Sequence, residues 1–248
     1  MEQHKIVTQT EWLAARKALL AREKELTHLQ DAVAAQRLAL PWVKVEKDYV
    51  FETTAGRKTL AELFDGRSQL MTYHFMFAPG WKEGCPGCSF LCDHIDGANL
   101  HLAHHDVTLI AVSRAPLAEL LPFRKRMGWR FNWVSSYGSD FNSDYGVSFT
   151  SDDLAKGPTT YNFEPRTSGE EGEAPGISTF IKDDAGNVFH AYSAYARGGD
   201  ILIGAYNYLD MAPKGRNEAE IMDWMRHHDR YEESAVDHCC GGAKEARG

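Results

Sequence analysis

The alternation of apolar and polar positions predicts a long helix at the start of the chain, over residues 8–39. Thr8 and Glu11 have the spacing of a capping box, in which both side chains satisfy free backbone N–H groups. Apolar side chains then recur at helical intervals as far as Pro41, which cannot continue a helix; they are Trp12, Leu19, Leu26, Leu29 and Val33. Such a helix packs on its own domain or on a second copy of the chain.

After Pro41 the pattern changes to short strands that alternate with helices. Residues 70–77 form a nearly continuous apolar run, which is typical of a central strand buried on both faces. Further strands are predicted at 107–112 and 131–134, with helices at 86–104 and 117–127 between them. The order strand, helix, strand, helix, strand predicts parallel strands joined by right-handed crossovers.

The second half of the chain begins with a segment of little periodicity, residues 135–176, which is rich in Ser, Asp, Gly and Tyr. Its acidic stretch at 169–173 is expected to be a solvated loop. Two strand-like runs at 177–181 and 188–192 flank a turn and predict a hairpin. Cap spacing at Asn217 and Glu220 predicts a last helix over residues 217–231.

Composition and charge exclude several classes of function. The net charge is −8 with no basic cluster, which disfavours a nucleic-acid partner. No apolar run approaches the roughly 20 residues that span a bilayer, so no membrane partner is expected. The first residues lack the apolar core of a signal peptide, which favours a cytoplasmic protein. No G-x-G-x-x-G opens a helix after a strand, and no flavin, nicotinamide or other cofactor is expected.

The five cysteines are clustered, which indicates redox or metal chemistry rather than a disulfide framework. Cys85-Pro86-Gly87-Cys88 lies where a buried strand ends and a helix should begin. At the start of a helix the helix dipole favours the ionised form of a thiol. The second thiol, one helical turn later, can form a disulfide with the first. We therefore predict a dithiol redox centre; half of a metal site and a pair of structural thiols remain the alternatives.

Cys92 falls on the same helical face as the dithiol, at i+7 from Cys85. It could be a third redox partner, the third thiolate of a soft-metal or metalloid site, or a small buried apolar side chain. Four histidines follow and could be zinc ligands or solvent-facing residues; they are His94, His101, His104 and His105. Cys239 and Cys240 could resolve Cys85 in trans, bind a soft metal or belong to an incidental tail.

Three motifs carry a resemblance to a known family. Gly84 to Phe90, Gly138 to Asp144 and Ala194 to Gly198 together resemble the thioredoxin-like family catalogued as domain of unknown function 899. The likeness extends from the first helix to the last. Residues 60–77 are also similar to the corresponding part of peroxiredoxins of the alkyl hydroperoxide reductase class.

The resemblance implies an α/β thioredoxin-like fold: three layers, α/β/α, around a central mixed sheet, with a long N-terminal helix. Expected divisions are a helical extension at 1–41, the thioredoxin-like domain at 42–232 with its irregular insertion at about 135–176, and a flexible tail at 233–248. Matching residues 177–179 to the family pattern puts Ser178 where thioredoxins have a proline opposite the dithiol.

Loops at the carboxyl ends of the strands should converge on the dithiol. Candidate auxiliary residues there are Trp81, Ser178 and Arg197, of which Arg197 could stabilise a thiolate or an anionic substrate. Further candidates are Tyr73, Tyr137, Asp140 and Asn142.

The sequence thus predicts a thiol–disulfide oxidoreductase or thiol peroxidase. Cys85 would be the nucleophile and Cys88 the resolving thiol, with a disulfide or peroxide as substrate, on a small molecule or a protein, and an external thiol as electron donor. One alternative is a non-catalytic protein that holds a soft metal or metalloid with Cys85, Cys88 and Cys92. Another is a scaffold that binds a partner, or forms a homodimer, through the helix at 8–39.

Overall fold

The computed structural model describes residues 4–231, so the predicted tail with Cys239 and Cys240 lies outside the described residues. The chain divides into two compact units, Met1–Trp42 and Val43–Gly248. The first unit contains helix α1 (Gln9–Leu38), whose capping box between Thr8 and Glu11 is present as predicted. None of its residues is buried. The homodimer contact through this helix stays a prediction.

The second unit alternates short strands and helices along its described part. In chain order these are β1 (Val43–Lys44), β2 (Val50–Thr53), β3 (Gly56–Thr59), β4 (Gln69–His74), α2 (Pro86–Cys92), α3 (Ile95–His104), β5 (Val107–Ser113), α4 (Leu117–Arg126), β6 (Trp133–Ser135), α5 (Phe141–Asp144), β7 (Ser148–Phe149), α6 (Ser151–Ala155), β8 (Thr160–Tyr161), β9 (Glu164–Pro165), β10 (Gly172–Glu173), β11 (Gly176–Lys182), β12 (Val188–Tyr195) and α7 (Gly204–Met211). Short 3₁₀ helices lie at Ala61–Phe64, Ala196–Leu202 and His228–Arg230.

One mixed sheet organises this unit, with the strand order β1-β12-β11-β4-β5-β6-β2-β3. β4, β5 and β6 are parallel, as the strand–helix alternation predicted. β11 is antiparallel to β4 and forms the predicted hairpin with β12. A parallel pair followed by an antiparallel hairpin, with the helix of the dithiol after the first of these strands, is the thioredoxin fold. The predicted fold class is therefore confirmed.

Apolar side chains cover both faces of the sheet because residues alternate sides along each strand. On one face Tyr73 and Ala111 pack with α2 and α4 in an aromatic core around Phe75 and Trp133, whose ring centroids are 4.5 Å apart. On the other face Ile110 packs with residues of a second core, among them Phe51, Phe64 and Phe141. The dithiol belongs to the first face.

Two predicted helices differ from the structure. The helix expected at 86–104 is interrupted between Cys92 and Ile95, giving α2 and α3. The helix expected at 217–231 is absent, and turns and one 3₁₀ turn occupy that stretch. Asn217 and Met222 have φ of 51° and 66° there, and a left-handed residue ends an α-helix.

The segment 135–176 is more ordered than its composition predicted. It holds α5, α6 and two small antiparallel pairs, β7 with β10 and β8 with β9. The acidic stretch does not end in solvent, because the Glu173 side chain is 1% exposed and forms an ion pair with Arg114 at 2.6 Å. The Glu173 carboxylate also accepts a hydrogen bond from Ser148.

Candidate active site

The loop before the dithiol is held tightly by the aromatic core. The Cys85 backbone N–H donates to the Met76 carbonyl at 3.2 Å, which ties the loop to the chain that leaves β4. Gly84 allows this approach, because a Cβ there would lie 2.5 Å from a Phe75 ring carbon and 3.0 Å from one of Phe123. Pro86 is the first residue of α2, where its missing N–H is not needed.

Cys85 precedes α2 as its N-cap residue and is half-buried. The pKa of its thiol is lowered to about 6, first because the Cys88 thiol donates a hydrogen bond to its sulfur. Burial raises the pKa of Cys85, but the backbone N–H groups of Cys88 and Gly87 also donate to the sulfur and lower it. A pKa of about 6 favours the thiolate form of Cys85 at neutral pH, and the thiolate is the reactive form of a cysteine.

Cys88 is 2% exposed, and burial is the main cause that raises the pKa of its thiol well above the usual range. The neighbouring Cys85 raises this pKa further. The Met76 N–H donates to the Cys88 sulfur at 3.4 Å, and the Tyr73 hydroxyl also hydrogen-bonds to it. Cys88 is thus a protonated thiol next to Cys85. When Cys88 loses its proton, the Met76 N–H and the Tyr73 hydroxyl can stabilise the resulting thiolate.

Cys92 is fully buried, and burial raises the pKa of its thiol well above the usual range, with Asp93 and Asp96 adding to the effect. It packs in the apolar core of the dithiol face. Of the three roles considered for Cys92, this environment fits that of a small buried apolar side chain. Within residues 4–231 no group of three or more His, Cys, Asp or Glu side chains is arranged to hold a metal ion.

A cavity of about 160 Å³ opens beside the two thiols. Its walls are mostly apolar, and Asp200 contributes the one carboxylate among the described residues that line it, which include no lysine, arginine or histidine. The lining residues are Tyr73, Met76, Cys85, Gly87, Cys88, Leu91, Pro175, Gly176, Ile177, Ala194, Ala196, Gly199, Asp200, Ile203 and Met222. A substrate that reaches Cys85 from this side is surrounded by hydrocarbon.

The last described residues, 218–231, cover the dithiol loop. A Cβ on Gly87 would lie 3.3 Å from Met222 Sδ and 3.5 Å from Met225 Cε, so both methionines contact α2 at its first turn. His227 is 2% exposed, and its Nε2–H donates to the Gly84 carbonyl at 2.9 Å. We call residues 218–231 the cover.

Ion pairs anchor the cover beside the dithiol. Arg126 in α4 bonds to Asp229 at 2.7 Å and to Glu83 at 2.8 Å. Arg230 reaches the same Glu83 carboxylate at 2.7 Å. His228 Nδ1 forms a hydrogen bond with the Asp93 carboxylate at 2.7 Å. Glu83 lies two residues before Cys85, so these contacts connect the cover directly to the reactive loop.

Tyr161 connects the two strand ends that form one wall of the cavity. Its hydroxyl donates to the Pro175 carbonyl at 2.8 Å and accepts from the Ala196 N–H at 2.9 Å. Pro175 precedes β11 and Ala196 follows β12. Ala196 has a φ of 46°, which is a strained conformation for a residue with a Cβ. Tyr161 therefore holds this wall in place.

The predicted auxiliary residues lie elsewhere. Ser178 is buried on the opposite face of the sheet, where its hydroxyl bonds to His74 at 2.9 Å and to Ser193 at 2.8 Å. Pro175, Gly176 and Ile177 line the cavity in its place, which corrects the alignment of this strand with the family pattern.

Trp81 and Arg197 do not line the cavity either. Trp81 is 39% exposed and stacks loosely on Phe77, with ring centroids 6.5 Å apart. Arg197 is exposed and pairs with Asp200 at 3.0 Å. Arg197 therefore does not contact the cavity itself, and it pairs with Asp200, which does line the cavity.

Of the other four candidates, one lies at the dithiol and three do not. Tyr73 lies at the dithiol, as expected. Tyr137 is exposed, Asp140 pairs with Lys47 at 2.6 Å, and Asn142 is buried and accepts from Ser136. The last three are contributed by the segment that follows β6.

The histidines after α2 have structural or solvent-exposed positions. His94 donates from Nδ1 to the Phe90 carbonyl at 2.9 Å, and its Nε2 accepts from the Ala205 N–H at 3.0 Å. His101, His104 and His105 are exposed. No zinc site is formed by these four residues.

Sequence reasoning missed Tyr161, Met222 and His227. Each lies far along the chain from Cys85 and sits in a stretch without a regular pattern, so no local signal marks it.

No curated protein matches this chain. Among solved structures it is similar to peroxidoxin BcpB from Mycobacterium tuberculosis, with 13% identity, a TM-score of 0.42 and coverage of 68% of this chain and 97% of the other. It is also similar to a cysteine-to-serine mutant of PrxQ from Xylella fastidiosa, with 13% identity, a TM-score of 0.41 and coverage of 64% and 88%.

In residues 4–231, no helix combines the length and the apolar character that crossing a membrane requires. A family model matches residues 1–231, which is most of the chain. The chain therefore belongs to the family described as "Bacterial protein of unknown function (DUF899)".

Proposed function

We propose that this protein is a thiol–disulfide oxidoreductase in which Cys85 attacks the substrate and Cys88 resolves the adduct. One observation carries the proposal. The half-buried Cys85 sulfur accepts hydrogen bonds from the Cys88 thiol and from the N–H groups of Gly87 and Cys88, which lowers its pKa to about 6. A thiolate with a pKa just below ambient pH is close to the optimum for attack on a disulfide.

In the first step, the S–S bond of the substrate is exchanged for a bond between Cys85 and one of its sulfurs. The Cys85 thiolate attacks one sulfur of a disulfide R–S–S–R, the S–S bond breaks, and one R–S⁻ leaves with the electron pair and takes a proton from water. Cys85 is then bonded to R–S. With a hydroperoxide R–O–O–H, attack at the outer oxygen gives a sulfenic acid on Cys85 and releases R–O⁻, which is protonated to the alcohol.

The second step uses Cys88. Once Cys85 is covalently bonded it carries no charge, so the negative charge that raised the pKa of Cys88 is gone. The Met76 N–H and the Tyr73 hydroxyl already bond to the Cys88 sulfur and stabilise its thiolate. Cys88 attacks the Cys85 sulfur and expels the second R–S⁻, or water from the sulfenic acid. The substrate has gained two electrons, and the protein holds a Cys85–Cys88 disulfide.

An external thiol donor returns the protein to the dithiol state. Two donor thiols exchange in turn with the Cys85–Cys88 disulfide and leave as the donor's own disulfide. No step requires a bound cofactor.

Trapping the covalent adduct tests the proposal. Cys88→Ser cannot resolve an adduct, so treatment with a small disulfide should leave R–S bonded to Cys85, visible by peptide mass mapping. Cys85→Ser is the matched control and should carry no adduct at residue 88, because that thiol is protonated and buried. An adduct on Cys88 in Cys85→Ser, with none on Cys85 in Cys88→Ser, would overturn the assignment of roles.

A further inference from the structure

We propose that the physiological substrate is a small uncharged molecule that carries an apolar group of about six carbon atoms next to its disulfide sulfur or peroxide oxygen. This inference rests on the proposed function of the dithiol. It concerns which electrophile reaches Cys85, and it has two supports that are independent of the thiol chemistry: the cavity and the cover.

The cavity matches such a group in size and in polarity. Its volume is about 160 Å³, and a dry cavity of about 150 Å³ is large enough to bind a benzene ring. Leu91, Ile177 and Ile203 contribute hydrocarbon walls next to the two sulfurs. An apolar group gains free energy by leaving water for these walls, whereas a charged group would lose its hydration.

Apart from the reactive Cys85 thiolate, the described wall of the cavity offers no unpaired charge to a charged substrate. Its one carboxylate, Asp200, pairs with Arg197 at 3.0 Å and lies 4.0 Å from Arg216. Arg216 in turn pairs with Asp210 at 2.6 Å. The charged side chains near the opening are thus matched. The carboxylates of an amino-acid or peptide disulfide find no cation among the described residues of the wall, and the Cys85 thiolate repels them.

The cover blocks the approach of a larger substrate. A protein disulfide that reacts with the half-buried Cys85 must bring its own flanking backbone up to the reactive loop. On the side of Gly87 that place is taken by Met222 and Met225. The Gly84 carbonyl, which an incoming backbone could use as a hydrogen-bond acceptor, is already bonded to His227. A small molecule can use the cavity without displacing any of these contacts.

In this arrangement the apolar group stays in the cavity while the sulfur bonds change. Cys85 attacks the sulfur that carries the bound group, the other R–S⁻ leaves through the opening and is protonated by water, and the bound group remains as the mixed disulfide. Cys88, in the same wall, then attacks Cys85 and releases the second R–S⁻. The electrons come from the external thiol donor of the proposed function.

A chain-length series gives the sharpest test. Each methylene that leaves water improves binding about fourfold. We expect kcat/KM to rise by about that factor per methylene from dimethyl to dibutyl disulfide. Among peroxides, we expect tert-butyl hydroperoxide to react faster than hydrogen peroxide. Cystine and a protein disulfide should react at least about 100-fold more slowly than dibutyl disulfide.

Filling the cavity should remove the length dependence. A Cβ at Gly199 would lie 3.6 Å from Ile177 Cδ1 and 3.7 Å from Leu91 Cδ1, which is ordinary contact, and the rest of a leucine would occupy the cavity. In Gly199→Leu the rates for the longer disulfides should fall to that of dimethyl disulfide. Gly97→Leu is the matched control, since nothing lies within 4 Å of a Cβ there, and it should keep the wild-type slope.

The outcomes separate this inference from the function on which it rests. A flat series in the wild type, or cystine or a protein disulfide as the faster substrate, would overturn the inference while the dithiol still turns over. An unchanged slope in Gly199→Leu would overturn the role of the cavity. If no disulfide or peroxide oxidises Cys85, the proposed function itself fails.

Discussion

The hydrogen bond from Cys88 to Cys85 can be tested with two variants that differ in one property. Cys88→Ala removes the donor, whereas Cys88→Ser keeps a hydroxyl that can donate to the Cys85 sulfur. The Cys88 side chain is the first cause of the low pKa of Cys85, ahead of the two backbone N–H groups. We therefore expect alanine, but not serine, to make Cys85 a weaker acid.

The size of the effect follows from the energy of a charge-assisted hydrogen bond. Such bonds contribute about 1.5–3 kcal/mol, and about 1.4 kcal/mol is a factor of ten in an equilibrium constant. The ionisation constant of Cys85 should thus fall about 10- to 100-fold in Cys88→Ala. A less acidic thiol is intrinsically the better nucleophile, with a Brønsted coefficient of about 0.4–0.5, so its limiting rate at high pH should rise about 3- to 10-fold.

The assay is the rate of alkylation of Cys85 by iodoacetamide against pH, followed on the peptide that contains residue 85. In the wild type the rate should rise with a midpoint near pH 6 and then level off, because burial and the hydrogen bonds set the pKa of Cys85 to about 6. In Cys88→Ala the curve should move to higher pH and to a higher plateau. The same midpoint in wild type, Cys88→Ala and Cys88→Ser would show that the Cys88 side chain does not lower the pKa of Cys85.

Three further predictions concern the surroundings of the site. Arg114→Met should cost about 3 kcal/mol in urea unfolding at pH 7, since it leaves the buried Glu173 carboxylate without its cation, and Arg114→Met with Glu173→Gln should recover most of the loss. Burial raises the pKa of Glu173, so the stability that its protonation provides is present in acid and is lost as pH rises through that pKa. The loss of unfolding free energy in Arg114→Met should therefore shrink as pH falls. A loss that does not change with pH would contradict this. Tyr161→Phe should lose about 1–2 kcal/mol and slow turnover, because the cavity wall loses two hydrogen bonds; unchanged stability and turnover would exclude its positioning role. Phe75→Ala should cost about 3–5 kcal/mol, since Phe75 is 1% exposed in the aromatic core beneath the dithiol loop, and a loss under about 1 kcal/mol would contradict that packing.

The strand pattern and the position of the dithiol could be predicted from local signals. The apolar run at 70–77 needs two buried faces, and β4 lies between β5 and β11 as that requires. Cys85 follows this strand and precedes a helix, and both features depend on neighbouring residues alone. The hairpin was predictable for the same reason, because β11 and β12 are joined by a turn of five residues, Asp183 to Asn187, that the sequence marks clearly.

The parts that could not be predicted depend on contacts between distant residues. Asp93 lies in the break between α2 and α3, where it accepts from the Trp129 indole N–H at 2.8 Å and forms a hydrogen bond with His228. Glu173 resembles a solvated loop residue until Arg114, 59 positions away, is placed beside it. The cover had the cap spacing of a helix, but left-handed backbone at Met222 and the ion pairs of Arg126 with Glu83 and Asp229 prevail over that local preference.

The prediction that Ser178 faces the dithiol was wrong because the register of β11 was not known from the sequence. A shift of one residue moves a side chain to the other face of a sheet, so matching a family pattern without the register cannot decide between Ser178 and Ile177. The pairing with β4 decides it, since Ile177 lies opposite Tyr73 and Ser178 opposite Thr72. The residues that face the dithiol are therefore apolar, which is what gives the cavity its character.

Intact-mass analysis after thiol trapping tests whether Cys85 and Cys88 are the redox-active pair. The protein is equilibrated over a series of redox potentials, its free thiols are trapped, and the mass and the trapped positions are recorded for wild type, Cys85→Ser and Cys88→Ser. We expect a reversible loss of two hydrogen atoms in the wild type, mapped to Cys85 and Cys88, and no such loss at these positions in either variant. Cys85 and Cys88 that stay reduced at every potential, or an oxidised wild type that pairs Cys85 with another cysteine, would contradict a Cys85–Cys88 redox pair.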